Sequence, residues 1–359
     1  MSWQEIRFGG WAMSEKKRFP FFIVGLPRSG TTLLSVMLSN HPEVYLSGNS
    51  VGMALARAYR RFVYRAQEGE SSLEEIFQSV LEDSYQKRLL PLFGQEKWLS
   101  EREVLSSFME RSVLAFAERQ GKRLWGDKTP ELNFHLAEID QLMPSAKFIH
   151  LVRDPRSNAL SLHRRQHYDL VLAAQCWREL NALARAQQHL YGRDRFLLVR
   201  YEDLLLNSES VMRQVCSFLH LDFHPAVLQP GEQLSEQKGQ AYVKPSLQKH
   251  KVDSWKAALS EKQLFRIEQI VGSSMLAFGY EPACWSLSRK EKPLSPRAKF
   301  WYKERLMWRM LFKGHRELMV NRQLIRKYIP LSVRIRNFAF GHVKAFFSED
   351  FLRLFGYRD

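Results

Sequence analysis

The sequence predicts an α/β protein, with a parallel sheet flanked by helices in a single domain that carries a basic, helical C-terminal extension. Three observations predict it. Short apolar runs alternate with amphipathic segments, a glycine-bounded loop joins the first run to the first helix, and the positive charge gathers at the C-terminal end. Alternation of this kind implies parallel strands covered by helices on both faces.

Four short runs rich in β-branched and aromatic residues read as buried strands: Phe21–Leu26, Arg123–Gly126, Lys147–Val152 and Phe196–Tyr201. Between them, helical periodicity covers Thr31–Ser39, Glu131–Met143, Ser157–Arg165 and Leu170–Leu190. Residues 50–120 read as inserted amphipathic helices (Met53–Arg65, Leu73–Leu92, Val104–Arg119), and 207–220 and 260–278 as further helices. The polar stretch 229–250 reads as a long loop, the kind that often covers a site.

The 359 residues suffice for one large domain and an appendage, and 45% hydrophobic with 26% charged residues is the composition of a folded globular chain. Three cysteines (Cys176, Cys216, Cys284), odd in number and without metal-ligand spacing, point to a reduced compartment with no disulfide framework and no metal site. No apolar stretch is long enough to span a bilayer, and the first 20 residues lack a signal-peptide core, so a cytoplasmic location is expected.

Residues 289–359 hold 18 Lys/Arg against 6 Asp/Glu, a net +12 of the chain's +16. The division that follows is a leader over 1–19, a body over 20–288 and a basic extension over 289–359. Segments such as RLMWRMLF, RQLIRKYI and VRIRNFAFGHVKAFF interleave Arg, Trp and Phe. The extension suits packing on the body, peripheral contact with an anionic membrane surface, or docking of an acidic carrier protein. No nucleic-acid module is recognisable, and no nucleic-acid partner is expected.

The chemistry gathers just after the strands, where parallel sheets bind their ligands. After the first comes GLPRSGTT, in which Gly25 and Gly30 have the spacing of a phosphate-cradling Walker loop. Thr31 stands at the Walker lysine position, and Arg28 sits inside the loop. Backbone N–H groups at the start of the following helix offer donors to an anion. The second strand delivers Gly126-Asp127-Lys128-Thr129-Pro130, with Thr129 a candidate helix cap. The third delivers Arg153-Asp154-Pro155-Arg156, then Ser161 and Arg165, which share a helix face. The fourth ends in Arg200-Tyr201-Glu202. Cations and hydroxyls on one edge imply a ligand with two separate anionic groups.

GLPRSGTT and FIHLVRDPRSNALS, together with GDKTP, RYEDL and KPSLQKHKVDSW, resemble the sulfotransferases that use 3′-phosphoadenosine 5′-phosphosulfate (PAPS), in the broad branch that includes the tyrosylprotein sulfotransferases. The resemblance covers about residues 20–285. It implies that Arg28, Ser29, Gly30, Thr31 and Thr32 hold the 5′-phosphosulfate, and that Arg153 and Ser161, with Arg165, hold the 3′-phosphate. Arg28 and Lys128 would face the transferred sulfuryl group, Tyr201 would line the adenosine site, and Lys249 or Lys251 would close over the donor. No metal is implied. The inserted helices would shape the pocket for a small-molecule or lipid acceptor carrying a hydroxyl or an amine, with a saccharide or a protein tyrosine left open as the acceptor.

The pattern departs from its relatives at one place. Where they often carry a glutamate as general base beyond an HP-E-V element, this chain has Asn49, which takes no proton at neutral pH. His163, His167, His135 and Asp127, all near the strand ends, are the candidate bases. Two other functions remain in view. One is a P-loop kinase, weakened by Thr31 at the lysine position, and the other is a non-catalytic protein that binds a membrane or a partner through its basic extension.

Overall fold

The computed structural model describes residues 18–47, 52–53, 55–56, 110, 113–229 and 252–306. Its centre is a five-stranded parallel sheet of order β2-β3-β1-β4-β5. The strands are β1 (Phe21–Gly25), β2 (Val44–Ser47), β3 (Leu124–Lys128), β4 (Lys147–Val152) and β5 (Phe196–Arg200). The helices are α1 (Thr31–Ser39), α2 (Leu136–Leu142), α3 (Pro155–Gln166), α4 (Leu170–Arg195), α5 (Tyr201–Leu206), α6 (Ser208–Phe218) and α7 (Glu261–Val271).

β1 and β4 are buried along their whole length because helices cover both faces. On one face Phe22, Val24, Trp125 and Phe148 pack with Leu132, Leu136, Ile139 and Ala184. On the other, Phe21, Ile23, Ile149 and Val199 pack with α1, α5 and α6 through Leu34, Leu204 and Val215. A third cluster around Trp177 joins α3, α4 and α7.

The structure alters five sequence expectations. β2 was not foreseen: it is a four-residue edge strand with only Val44 and Ser47 buried, too short for an apolar pattern. β3 runs on to Lys128, so Asp127 and Lys128 are strand residues, paired in register with Phe22 and Ile23. Tyr201 opens α5 instead of ending β5. The helix expected over Glu131–Met143 divides into a 3₁₀ turn, Pro130–His135, followed by α2. Asn133 Nδ2 donates to the Pro130 carbonyl at 2.9 Å, taking an acceptor that an α-helix would use for its own ladder. α4 continues past Leu190, with Gly192 (φ 70°) breaking its helical geometry.

Of the inserted helices, 52–53, 55–56 and 113–119 are helical, and Leu73–Leu92 lies outside the described residues, as does nearly all of the 229–250 loop. The described part of the basic extension is fastened to α4. Leu294 N–H donates to Gln175 at 2.7 Å, Glu291 pairs with Arg178 at 2.6 Å, Lys299 pairs with Glu179, and Leu306 joins the Trp177 cluster. The tail segments from 307 onward lie outside the described residues. No described helix is long and apolar enough to cross a membrane.

Candidate functional site

The loop after β1 turns tightly, with the Ser29 N–H bonded to the Leu26 carbonyl at 3.0 Å. Arg28 adopts φ 72°, a left-handed conformation uncommon for a non-glycine residue, and Gly30 follows at φ 98°. Gly30 is required sterically as well, since a Cβ there would stand 2.2 Å from the Tyr201 ring. α1 then begins at Thr31, which is buried; Thr32 is half-buried.

The flank beyond β4 closes on this loop. Arg153 NH1 donates to the Arg28 carbonyl at 3.1 Å, and its guanidinium lies 4.6 Å from the centre of the Tyr201 ring. Arg28 Nε donates to Ser161 Oγ at 3.3 Å. Asn158 Nδ2 reaches both the Pro27 carbonyl (3.2 Å) and Ser29 Oγ (3.1 Å). Asn158, Ser161 and Arg165 fall at i, i+3 and i+7, one face of α3. Asp154 caps that helix by accepting from the N–H groups of Arg156 and Ser157, and its own N–H donates to Glu202 at 3.0 Å. Arg156 is structural: it holds Asp154 and Glu268 and stacks 4.0 Å from Trp255.

The electrostatics of the loop are one-sided. Burial, then the charges of Arg165 and Arg153, push the Arg28 guanidinium below its usual range. Arg153 is 8% exposed, and its buried Nε makes no hydrogen bond among the described residues. Burial raises the Tyr201 phenol, partly offset by Arg153. Three arginines thus crowd one small volume, an arrangement that an anion would relieve.

The flank beyond β3 carries Lys128, half-exposed at the strand end, and Glu131 in the first turn of the 3₁₀ segment. Thr129 occupies the cap position expected for it, but its hydroxyl donates to Asp127 instead of to the turn. Asp127 is fully buried. His135 is buried beside Glu138, 3.4 Å away. His163 sits two residues beyond Ser161, about 200° around the helix, and its Nδ1 lies 2.6 Å from the Tyr168 carbonyl. His167 ends α3 in a left-handed conformation. Asn49, Lys249 and Lys251 lie outside the described residues.

The family model described as "Sulfotransferase family" matches residues 20–225, more than half of the chain and the whole of the sheet and its loops. This chain belongs to the sulfotransferase family. Among its relatives, a protein-tyrosine sulfotransferase of Drosophila melanogaster is 30% identical over 61% of this chain and 41% of that protein. Protein-tyrosine sulfotransferase 1 of Danio rerio is 28% identical over 61% and 58%. The nodulation protein NoeE of Sinorhizobium fredii is 27% identical over 72% and 65%. The chain spans only about half of the length of these tyrosine sulfotransferase relatives, from 41% to 58%. The sulfotransferase domain of a Synechococcus olefin synthase has a TM-score of 0.47 at 27% identity, over 74% of this chain and 95% of that one.

One group that touches the loop, Asn158, was not singled out from sequence. It could have been found from its i, i+3, i+7 relation to Ser161 and Arg165.

Proposed function

We propose that this sulfotransferase transfers the sulfuryl group of PAPS to a hydroxyl or amine by in-line displacement at sulfur. The observation that carries this reading is the cluster of Arg28, Arg153 and Arg165 around a glycine-bounded turn. The residues fit such a donor: a buried guanidinium nitrogen of Arg153 makes no hydrogen bond among the described residues, and Gly30, lacking a Cβ, lets the loop pack directly against the Tyr201 ring. In this reading the N–H groups of Ser29 to Thr32, with Arg28, hold the 5′-phosphosulfate, while Arg153, Ser161 and Arg165 hold the 3′-phosphate. Tyr201 lines the nucleoside side. Lys128, reaching the edge from the strand on the other side of β1, stabilises charge on the transferred group.

PAPS supplies the activated sulfuryl group, and the chain supplies orientation and fixed positive charge. By analogy with phosphoryl transfer, those two contributions dominate the rate. The basic extension is a surface for an anionic membrane or an acidic carrier of the acceptor, supported by its net +12 charge.

The test is a heat-stability shift with adenosine 3′,5′-bisphosphate, followed by transfer from radiolabelled PAPS. A ligand at 100 times its Kd stabilises by about 2.7 kcal/mol. Wild type stabilised by the bisphosphate, with Arg28→Ala unresponsive, is the expected result; an unresponsive wild type refutes the reading.

A further inference from the structure

We propose that Asn158 is a positioning residue for the donor: its amide clamps the loop after β1 on both sides of Arg28 and sets the Ser29 hydroxyl to donate to the 5′ end of the bound nucleotide. The assignment rests on the sulfotransfer reading above and adds to it a residue that acts through Ser29.

Asn158 is fully buried in the first turn of α3. Its backbone is fixed by the first bond of that helix, from its N–H to the Asp154 carbonyl at 2.8 Å. The side-chain Nδ2 carries two hydrogens, and the loop takes both. One goes to the Pro27 carbonyl at 3.2 Å and the other to Ser29 Oγ at 3.1 Å. A carbonyl can only accept, so turning the amide over would set oxygen against oxygen at Pro27. In this orientation Oδ1 is buried and makes no hydrogen bond among the described residues. The amide therefore serves the loop while its own acceptor goes without a partner, and such an exception calls for an explanation.

The two contacts bracket Arg28, which holds a left-handed φ of 72°. A non-glycine residue keeps that conformation only where its surroundings over-determine it. The Ser29 N–H bond to Leu26 and the Arg153 bond to the Arg28 carbonyl hold the backbone of the turn. Asn158 holds the backbone at Pro27 and, in addition, a side chain.

That side chain is where the chemistry lies. A serine hydroxyl has one hydrogen to give and two lone pairs to offer. With Asn158 donating into one lone pair, the Ser29 hydrogen is turned away from α3. Ser29 is 1% exposed, and no hydrogen bond among the described residues takes its proton. Its loop is the one that Arg28, Arg153 and Arg165 charge positively. A buried hydroxyl with a preset direction, in a loop of positive potential, donates to an anion without first reorienting.

The experiment measures Kd by calorimetric titration of the full chain with adenosine 3′,5′-bisphosphate and with adenosine 3′-monophosphate, which lacks the 5′ group. Asn158→Leu fills much of the same space without a donor, so a role in packing alone would survive it. Asn158→Leu and Asn158→Ala are each expected to weaken the bisphosphate by about 10-fold and the monophosphate by less than about 2-fold. Ser29→Ala should weaken the bisphosphate by about 10-fold as well. Combined with Asn158→Leu, it should still lose about 10-fold and not the product of about 100-fold, because the same donor is lost once. Unchanged bisphosphate affinity in Asn158→Leu, equal losses on the two ligands, or losses that multiply would overturn the assignment while the sulfotransfer reading stands. A wild type that does not bind the bisphosphate would remove both.

Discussion

The two flanks of the loop after β1 are built from different kinds of bond. On the β4 flank the supports are charged. Arg153 reaches the loop carbonyl, Asp154 caps α3, and Arg156 is locked between Asp154 and Glu268, with Glu202 beneath accepting from Tyr280 at 2.6 Å. On the β3 flank, the turn after Lys128 is tied through Asn133 to neutral groups, His150 and Gln187, with Asn181 holding the other side of the His150 ring. Buried ions hold geometry strongly, but they also set the local potential. A charged scaffold suits the flank that would grip a polyanion.

The largest effect expected from breaking this contrast is at Arg156. Arg156→Ala leaves the carboxylates of Asp154 and Glu268 without their cation, and removing one member of a buried pair costs about 3–5 kcal/mol. Thermal unfolding should register the whole of it. Arg28→Ala comes next. Losing a charge-stabilising donor typically lowers the rate by about 10²–10³, so transfer from PAPS should fall by that factor while unfolding without ligand is little changed.

Gly30→Ala should cost about 1–3 kcal/mol, by forcing a side chain into the Tyr201 ring at a backbone angle that disfavours it. Its effect should be read as weakened stabilisation by adenosine 3′,5′-bisphosphate.

The smallest effect tests the neutral flank. His150 is fully buried with its pKa lowered to about 4 from 6.5, so the unfolded chain binds a proton that the folded chain refuses between those values. That stability is present in full above pH 6.5 and is lost as the pH falls toward 4. His150→Gln, which keeps hydrogen-bonding atoms between Asn133 and Asn181, should flatten the profile of Tm against pH by roughly a few °C across that window.

Much of the β4 flank was legible in the sequence because its signals are local. GLPRSGTT announces a turn between strand and helix, and Asp154-Pro155 reads as a turn former, which the structure uses as the cap of α3. Ser161 and Arg165 declare a shared face by their spacing. On the β3 flank the local signals misled. Thr129 read as a helix cap, yet its hydroxyl turned to Asp127. Glu131–Met143 read as one helix, yet Asn133 bonded back to Pro130 and broke it in two. β2 escaped notice because an edge strand of four residues with two buried side chains has no periodicity to read.

Sequence by itself determined the α/β class, the phosphate-type loop and the cations that follow the strands, since each depends on neighbours a few positions away. Only the tertiary structure decided which of those groups meet. The central place of β1, between β3 and β4, separates Lys128 from Arg153 and gives the loop two unlike flanks. It also decided the setting of Glu131, whose carboxyl is pushed up by burial and lies in electrostatic reach of Tyr168, a residue brought close only by the folded chain.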